Sequence, residues 1–111
     1  MRRIRRANPE TEARWLAQVR EIATRALASH DADLYLFGSR ARGDARLASD
    51  IDLAVDAGSD LPPSLLDALQ EELEESTVPV RVEIVELRHA GEGFRARVLE
   101  EGVRWTASKN A

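Results

Sequence analysis

Three observations predict an α/β (α+β) fold. Two apolar runs, Leu34-Tyr35-Leu36-Phe37 and Ile51 to Val55, have the length of strands. A third stretch, Pro79 to Glu86, alternates apolar and polar residues as a half-buried strand does. The segments around them carry apolar residues at the helical period.

Taken in order, Asn8-Pro9 opens the first helix, with a capping side chain followed by a proline suited to the first turn. Trp15, Val19, Ile22 and Ala26 then recur at helical spacing to about Ser29, with Leu16, Ala23 and Leu27 beside them. The first strand, near 33–37, runs into Gly38-Ser39, and a short helix is expected over 39–46. The second strand covers Ile51 to Val55, and Asp56-Ala57-Gly58-Ser59-Asp60 reads as a loop. Pro62-Pro63 opens a further helix, with Leu65, Leu66, Leu69 and Leu73 on one side and Glu71, Glu72, Glu74 and Glu75 outside. The third strand spans 79–86, and Phe94, Val98 and Leu99 line a last helix stopped by Gly102.

At 111 residues the sequence reads as one domain, 1–111, with a flexible basic arm at 1–8 and a flexible tail at 106–111. No apolar run approaches membrane-spanning length, and Met1-Arg2-Arg3-Ile4-Arg5-Arg6 lacks the apolar stretch of a secretion signal. The absence of cysteine rules out disulfides and thiolate metal sites and fits a cytoplasmic location. Charge is uneven: residues 1–46 sum to +4 and residues 47–111 to −8. A net acidic chain argues against nucleic acid as a partner, because such binding depends on neutralising phosphates.

The densest chemistry lies between the first two strands. On a strand, residues two apart share a face, so Asp50 and Asp52 are expected side by side, with Ile51, Leu53 and Val55 turned to the core. Crowded carboxylates repel unless a cation joins them, and oxygen ligands suit a hard divalent ion such as magnesium. Gly38 and Ser39, just upstream, offer backbone N–H groups and a hydroxyl to phosphate oxygens. The segment therefore reads as a metal–nucleoside triphosphate site. If Val80, Val82 and Ile84 face the core, strand parity puts Glu83 on the sheet face of Asp50 and Asp52, whereas Glu86 falls with Ile84 on the other.

GSRARG followed by SDIDL resembles the signature of the DNA polymerase beta superfamily in its small stand-alone form, the minimal nucleotidyltransferases. VPVRVEIVEL is similar to the strand that carries the family's third carboxylate, and GFRARVLEEGVRW resembles its C-terminal segment. The resemblance covers residues 33–105 and implies a small mixed β-sheet with helices packed on one face, the polymerase-beta-like palm. It departs at Glu83, where the family usually has aspartate.

These relatives are known chiefly as antitoxins paired with HEPN-domain toxins. The resemblance implies Mg-dependent transfer of AMP from ATP to a hydroxyl, a tyrosine, of the partner toxin, in a hetero-oligomer with it. Asp50, Asp52 and Glu83 would be both the catalytic set and the ligands of two magnesium (or manganese) ions. Gly38, Ser39, Arg40 and Arg42 would bind nucleotide, with Arg42 beside Gly43 the one to reach the triphosphate and Arg40 exposed or facing a partner. Two alternatives stand beside this: an impaired site that neutralises the toxin by binding alone, and a small-molecule or RNA-end nucleotidyltransferase.

Each residue has a plainer account as well. An isolated aspartate caps turns, a glycine serves any turn needing φ > 0, and alternation alone explains a solvated Glu83. Asp44 and Arg46 read as surface residues, and His30 and His89, at element ends, have no partnering Cys or His at metal-ligand spacing and are given no role. Trp15 and Trp105 read as core or interface anchors, and Tyr35 as packed. No P-loop or dinucleotide-binding glycine motif is present.

Overall fold

A computed structural model describes residues 8–106. Helix α1, Pro9–Leu27, starts where Asn8 caps it: the Asn8 side-chain oxygen accepts from the backbone N–H groups of Glu10 (2.9 Å) and Thr11 (3.3 Å). Strand β1, Ala32–Phe37, follows, then the single turn α2, Ser39–Arg42. The helix expected over 39–46 ends early because Gly43 takes the left-handed conformation (φ 84°) and its N–H bonds Ser39 O at 3.0 Å.

Strand β2 runs Ile51–Ala57 and takes in two residues that read as loop, since Asp56 and Ala57 pair with Asp33 and Ala32. Helix α3, Pro63–Glu75, leads to strand β3, Val82–Glu86, shorter than the expected 79–86. Pro79 has no N–H for a ladder, and pairing begins where Arg81 O accepts from Ile51 N–H at 2.9 Å. A 3-10 turn at Leu87–His89 joins β3 to helix α4, Glu92–Glu101, which runs into the two-residue strand β4, Val103–Arg104.

The sheet order is β3-β2-β1-β4, with β1 antiparallel to β2 and β4, and β2 parallel to β3. This is the mixed sheet expected. A parallel pair needs a crossover, and α3 supplies it. On one face Leu34, Leu36, Ile51, Leu53, Val55 and Val82 pack with Val19, Ile22, Ala23 and Leu27 of α1 and Leu69 and Leu73 of α3. On the other, Ala54, Tyr35 and Phe37 meet Leu87 and the Phe94, Val98 and Leu99 side chains of α4. Phe37 and Phe94 make an edge-to-face pair with centroids 5.5 Å apart. The first face is the main core; α4 covers part of the second, so the helices do not all pack on one face as expected, because Ala54, Tyr35 and Phe37 offer α4 an apolar patch there.

The expected arm and tail fall outside the described residues except for Asn8 and Thr106. Both of these are held: Asn8 as the cap of α1, and Thr106 by accepting from Leu34 N–H at 3.0 Å and donating to Asp33 at 3.3 Å. Among the described residues, no helix is long and apolar enough to cross a membrane.

Gly102 ends α4 as expected, through a close backbone approach. A Cβ there would stand 2.6 Å from Val98 O and 3.1 Å from Leu36 O, and neither carbonyl can swing away as a side chain would. Gly102→Ala is expected to cost about 1–3 kcal/mol, as other overpacking changes do. Denaturant unfolding checks this; an unshifted midpoint would contradict it.

Candidate active site

The pairing register brings the acidic residues together. Asp52 lies opposite Glu83 across the parallel β2–β3 pair and opposite Phe37 across β1. Because β2 sends Ile51, Leu53 and Val55 into the main core, Asp52 projects to the second face, half-buried. Asp50 sits one residue before β2 and is exposed, at the approach to the strand rather than within it. Burial pushes the Asp52 carboxyl above its ordinary range; the charges of Glu83 and Asp50 add to the push, and Arg42 and Arg40 oppose it. Three carboxylates thus share one electrostatic neighbourhood centred on Asp52.

Glu83 is turned towards Arg81, with Nη2 to Oε1 at 3.2 Å. Asp50, Asp52 and Glu83 therefore do not present three oxygens within 4.8 Å of one another; among the described residues only Asp60, Glu86 and His89 do that. The second set lies at the other end of the sheet, beyond the pairing of Glu86 with Val55. There Asp60 already accepts from Arg88 (2.9 Å) and meets His89 Nε2 (3.1 Å), which pulls its carboxyl below the ordinary range. A guanidinium on that carboxylate makes it an exposed ion-pair cluster. For a hard divalent ion, the oxygen-only set around Asp52 is the better match.

Gly38 stands beside Asp52 for a reason beyond turn geometry. Its φ of 76° and ψ of −157° lie in a region essentially restricted to glycine. A Cβ at this position would fall inside the contact shell of the Asp52 carboxylate, 3.2 Å from Cγ and closer still to Oδ2. The missing side chain leaves the space that the carboxylate fills. Ser39 begins α2, whose ring of bonds is closed by Ala41 and Arg42 N–H to Gly38 O (both 3.1 Å).

The two arginines of α2 part company, as residues two apart on a helix do. Arg42 is exposed, pairs with Asp44 at 3.3 Å, and lines a cavity of about 170 Å³ with Phe37, Gly38, Phe94, Arg97 and Val98. Arg40 corrects the sequence reading: it is neither exposed nor turned to the carboxylate face. It is 6% exposed, and its guanidinium nitrogens face Glu12 (3.1 Å) and the carbonyls of Arg46 (3.3 Å), Leu47 (3.3 Å) and Ser49 (2.7 Å). It also lies 5.6 Å from the Trp15 ring centroid. Glu12 and Trp15 are neighbours of the site that the motif does not contain. Their i, i+3 spacing put them on one side of α1, but nothing local said what they face. Phe94 was expected on the apolar side of its helix, whereas Arg97, which also lines the cavity, carried no local signal.

A sheet of this order, carrying a glycine turn and carboxylates on adjacent parallel strands, defines a nucleotidyltransferase palm. Residues 26–109 match the family described as polymerase beta, nucleotidyltransferase, and the chain belongs to it. A solved structure described as a minimal nucleotidyltransferase is 36% identical, with 79% of this chain and 90% of that one covered and a TM-score of 0.65. A toxin–antitoxin crystal structure with AMP-PNP is 26% identical over 82% of this chain and 75% of that one, with a TM-score of 0.66. The Haemophilus influenzae protein named "Probable protein adenylyltransferase MntA" is 37% identical over 65 residues, 59% of this chain. The match spans 57% of that relative's length.

Proposed function

We propose that the chain is an antitoxin-type adenylyltransferase, transferring AMP from ATP to a tyrosine hydroxyl of a partner HEPN-domain toxin in the cytoplasm and so neutralising it. The observation that carries this is the gathering of Asp50, Asp52 and Glu83 about one raised carboxyl beside the Gly38 turn. The AMP-PNP in a related toxin–antitoxin complex supports ATP as donor and a toxin as partner.

Asp50, Asp52 and Glu83 would hold divalent ions, magnesium or manganese. Bound there, such ions would neutralise charge on the attacking and leaving oxygens. Gly38 and Ser39 bring backbone close to the β- and γ-phosphates. Arg42 swings from Asp44 to the triphosphate, an exposed pair being weakly held. The cavity flanked by Phe37 and Phe94 is smaller than the ~300–1,000 Å³ pockets that enclose whole ligands. At about 170 Å³ it suits the nucleobase alone. The acceptor oxygen attacks the α-phosphorus, the bond to the bridging oxygen of the β-phosphate breaks and pyrophosphate leaves. The hydroxyl proton passes to Glu83.

A second reading rests on one specific observation. Glu83 replaces the family's usual aspartate and is turned to Arg81, which favours an impaired site that neutralises by occlusion. Label transfer from α-labelled ATP to the partner toxin, in wild type and Asp50→Asn, separates the two. The adenylyltransferase reading expects an AMP mass addition on a toxin tyrosine, lowered at least about 10²-fold by Asp50→Asn. No addition, with the toxin still bound and silenced, would replace it with occlusion.

A further inference from the structure

We propose that Arg40 is a positioning residue: its buried guanidinium fixes the backbone on which Asp50 stands and so sets the affinity of the carboxylates for divalent metal. The inference rests on the assignment of Asp50 as a metal ligand above.

The loop from Gly43 to Asp50 contains no helix, and three of its carbonyls converge on Arg40. Nη2 alone serves Arg46 O, Leu47 O and Ser49 O, at 3.3, 3.3 and 2.7 Å. Carbonyl dipoles aimed at one point repel unless a cation stands there. The shortest of these contacts holds the oxygen of the Ser49–Asp50 peptide. The next peptide along, Asp50–Ile51, is held by its N–H to Arg81 O at 2.9 Å. Both peptide planes flanking the Asp50 Cα are therefore tied, one to the sheet and one to Arg40. Asp50 lies outside the strand, so ladder bonds do not hold its N-terminal side; Arg40 does.

The clamp is built at some expense. The Arg40 side chain has no solvent exposure, and desolvating a guanidinium is costly unless it is paired and hydrogen-bonded. Glu12, 24% exposed at 3.1 Å, supplies the counter-charge, and Trp15 supplies the ring face. Nε finds no acceptor, so even this set leaves one buried donor unmatched. Lysine could not replace the fork, because one ammonium cannot reach Glu12 and the loop carbonyls together.

The test is Mn²⁺ titration followed by electron paramagnetic resonance, in the presence of AMP-PNP and well below each variant's Tm. The chain would be compared as wild type, Arg40→Lys, Glu12→Ala and Asp50→Asn. Arg40→Lys is expected to weaken Mn²⁺ binding about tenfold, as lost outer partners of metal ligands do. Glu12→Ala is expected to weaken it less, in the same direction, and it keeps the test decisive should Arg40→Lys fail to fold. If Asp50→Asn weakens Mn²⁺ binding while Arg40→Lys and Glu12→Ala lower only the Tm, Arg40 is merely structural and the proposal falls. If Asp50→Asn leaves Mn²⁺ binding unchanged, the metal assignment itself is wrong and the proposal falls with it.

Discussion

Asp52→Asn is expected to abolish transfer and, at neutral pH, to raise the melting temperature. Burial and the charges of Glu83 and Asp50 disfavour the ionised Asp52 in the folded chain, raising its carboxyl above the ordinary 3.8. The folded state thus keeps this proton to higher pH than the unfolded chain does. Stability falls as pH rises from the ordinary aspartate range through the raised value, and above it the loss is complete. Asparagine never ionises and escapes the loss. The variant's advantage in Tm should therefore vanish in acid, grow as pH rises through the raised value, and level off. Transfer should drop by about 10²–10³-fold or more if Asp52 acts as the proposed metal ligand. Thermal melts across pH, set beside label-transfer assays, check both halves. A Tm below wild type at pH 7 would show that Asp52 is stabilised by partners rather than strained by its neighbours.

Gly38→Ala should lower stability and activity together. The backbone at φ 76°, ψ −157° strains any residue with a Cβ by about 1–3 kcal/mol. The new methyl would also enter the space of the Asp52 carboxylate. For a domain of this size each kcal/mol moves Tm by roughly 4–8 °C, so a loss of at least several degrees is expected. The two contributions separate in a double-mutant cycle with Asp52→Ala, which removes the carboxylate but leaves the strain. The destabilisation by Gly38→Ala should shrink in that background. Equal losses in both backgrounds would mean that the glycine serves the turn alone.

The readable parts of this molecule are those where one local rule decides the outcome. Alternation along Ile51 to Val55 sent Leu53 and Val55 to the core and left Asp52 on the other face, as observed. Parity in β3 placed Glu83 on the side of Asp52, and the register puts the two opposite. The capping of α1 was visible in Asn8-Pro9. What escaped depends on partners distant in sequence. Spacing said that Arg40 and Arg42 diverge, but the inward one is chosen by Glu12, 28 positions away, and by carbonyls of a loop without pattern. Strand β4 has two residues, too few to alternate, and exists because Val103 and Arg104 meet Leu36 and Tyr35. The cluster of Asp60, Glu86 and His89 joins two residues three apart to Asp60, which is 26 positions before Glu86 and shares no spacing rule with them.

The parallel pairing of β2 with β3 has a consequence for how the molecule comes into being. Gly38, Asp50 and Asp52 lie within 15 consecutive residues on two antiparallel strands and the link between them. Glu83 reaches them only after α3 has formed and folded back, a non-local closure that is slow compared with a hairpin. During synthesis, a nascent chain that has exposed β1 and β2 holds Asp50 and Asp52 of the proposed set but not Glu83. The three carboxylates proposed as metal ligands therefore come together only in a chain translated past Glu86, so a truncated product would carry the signature without the full proposed set.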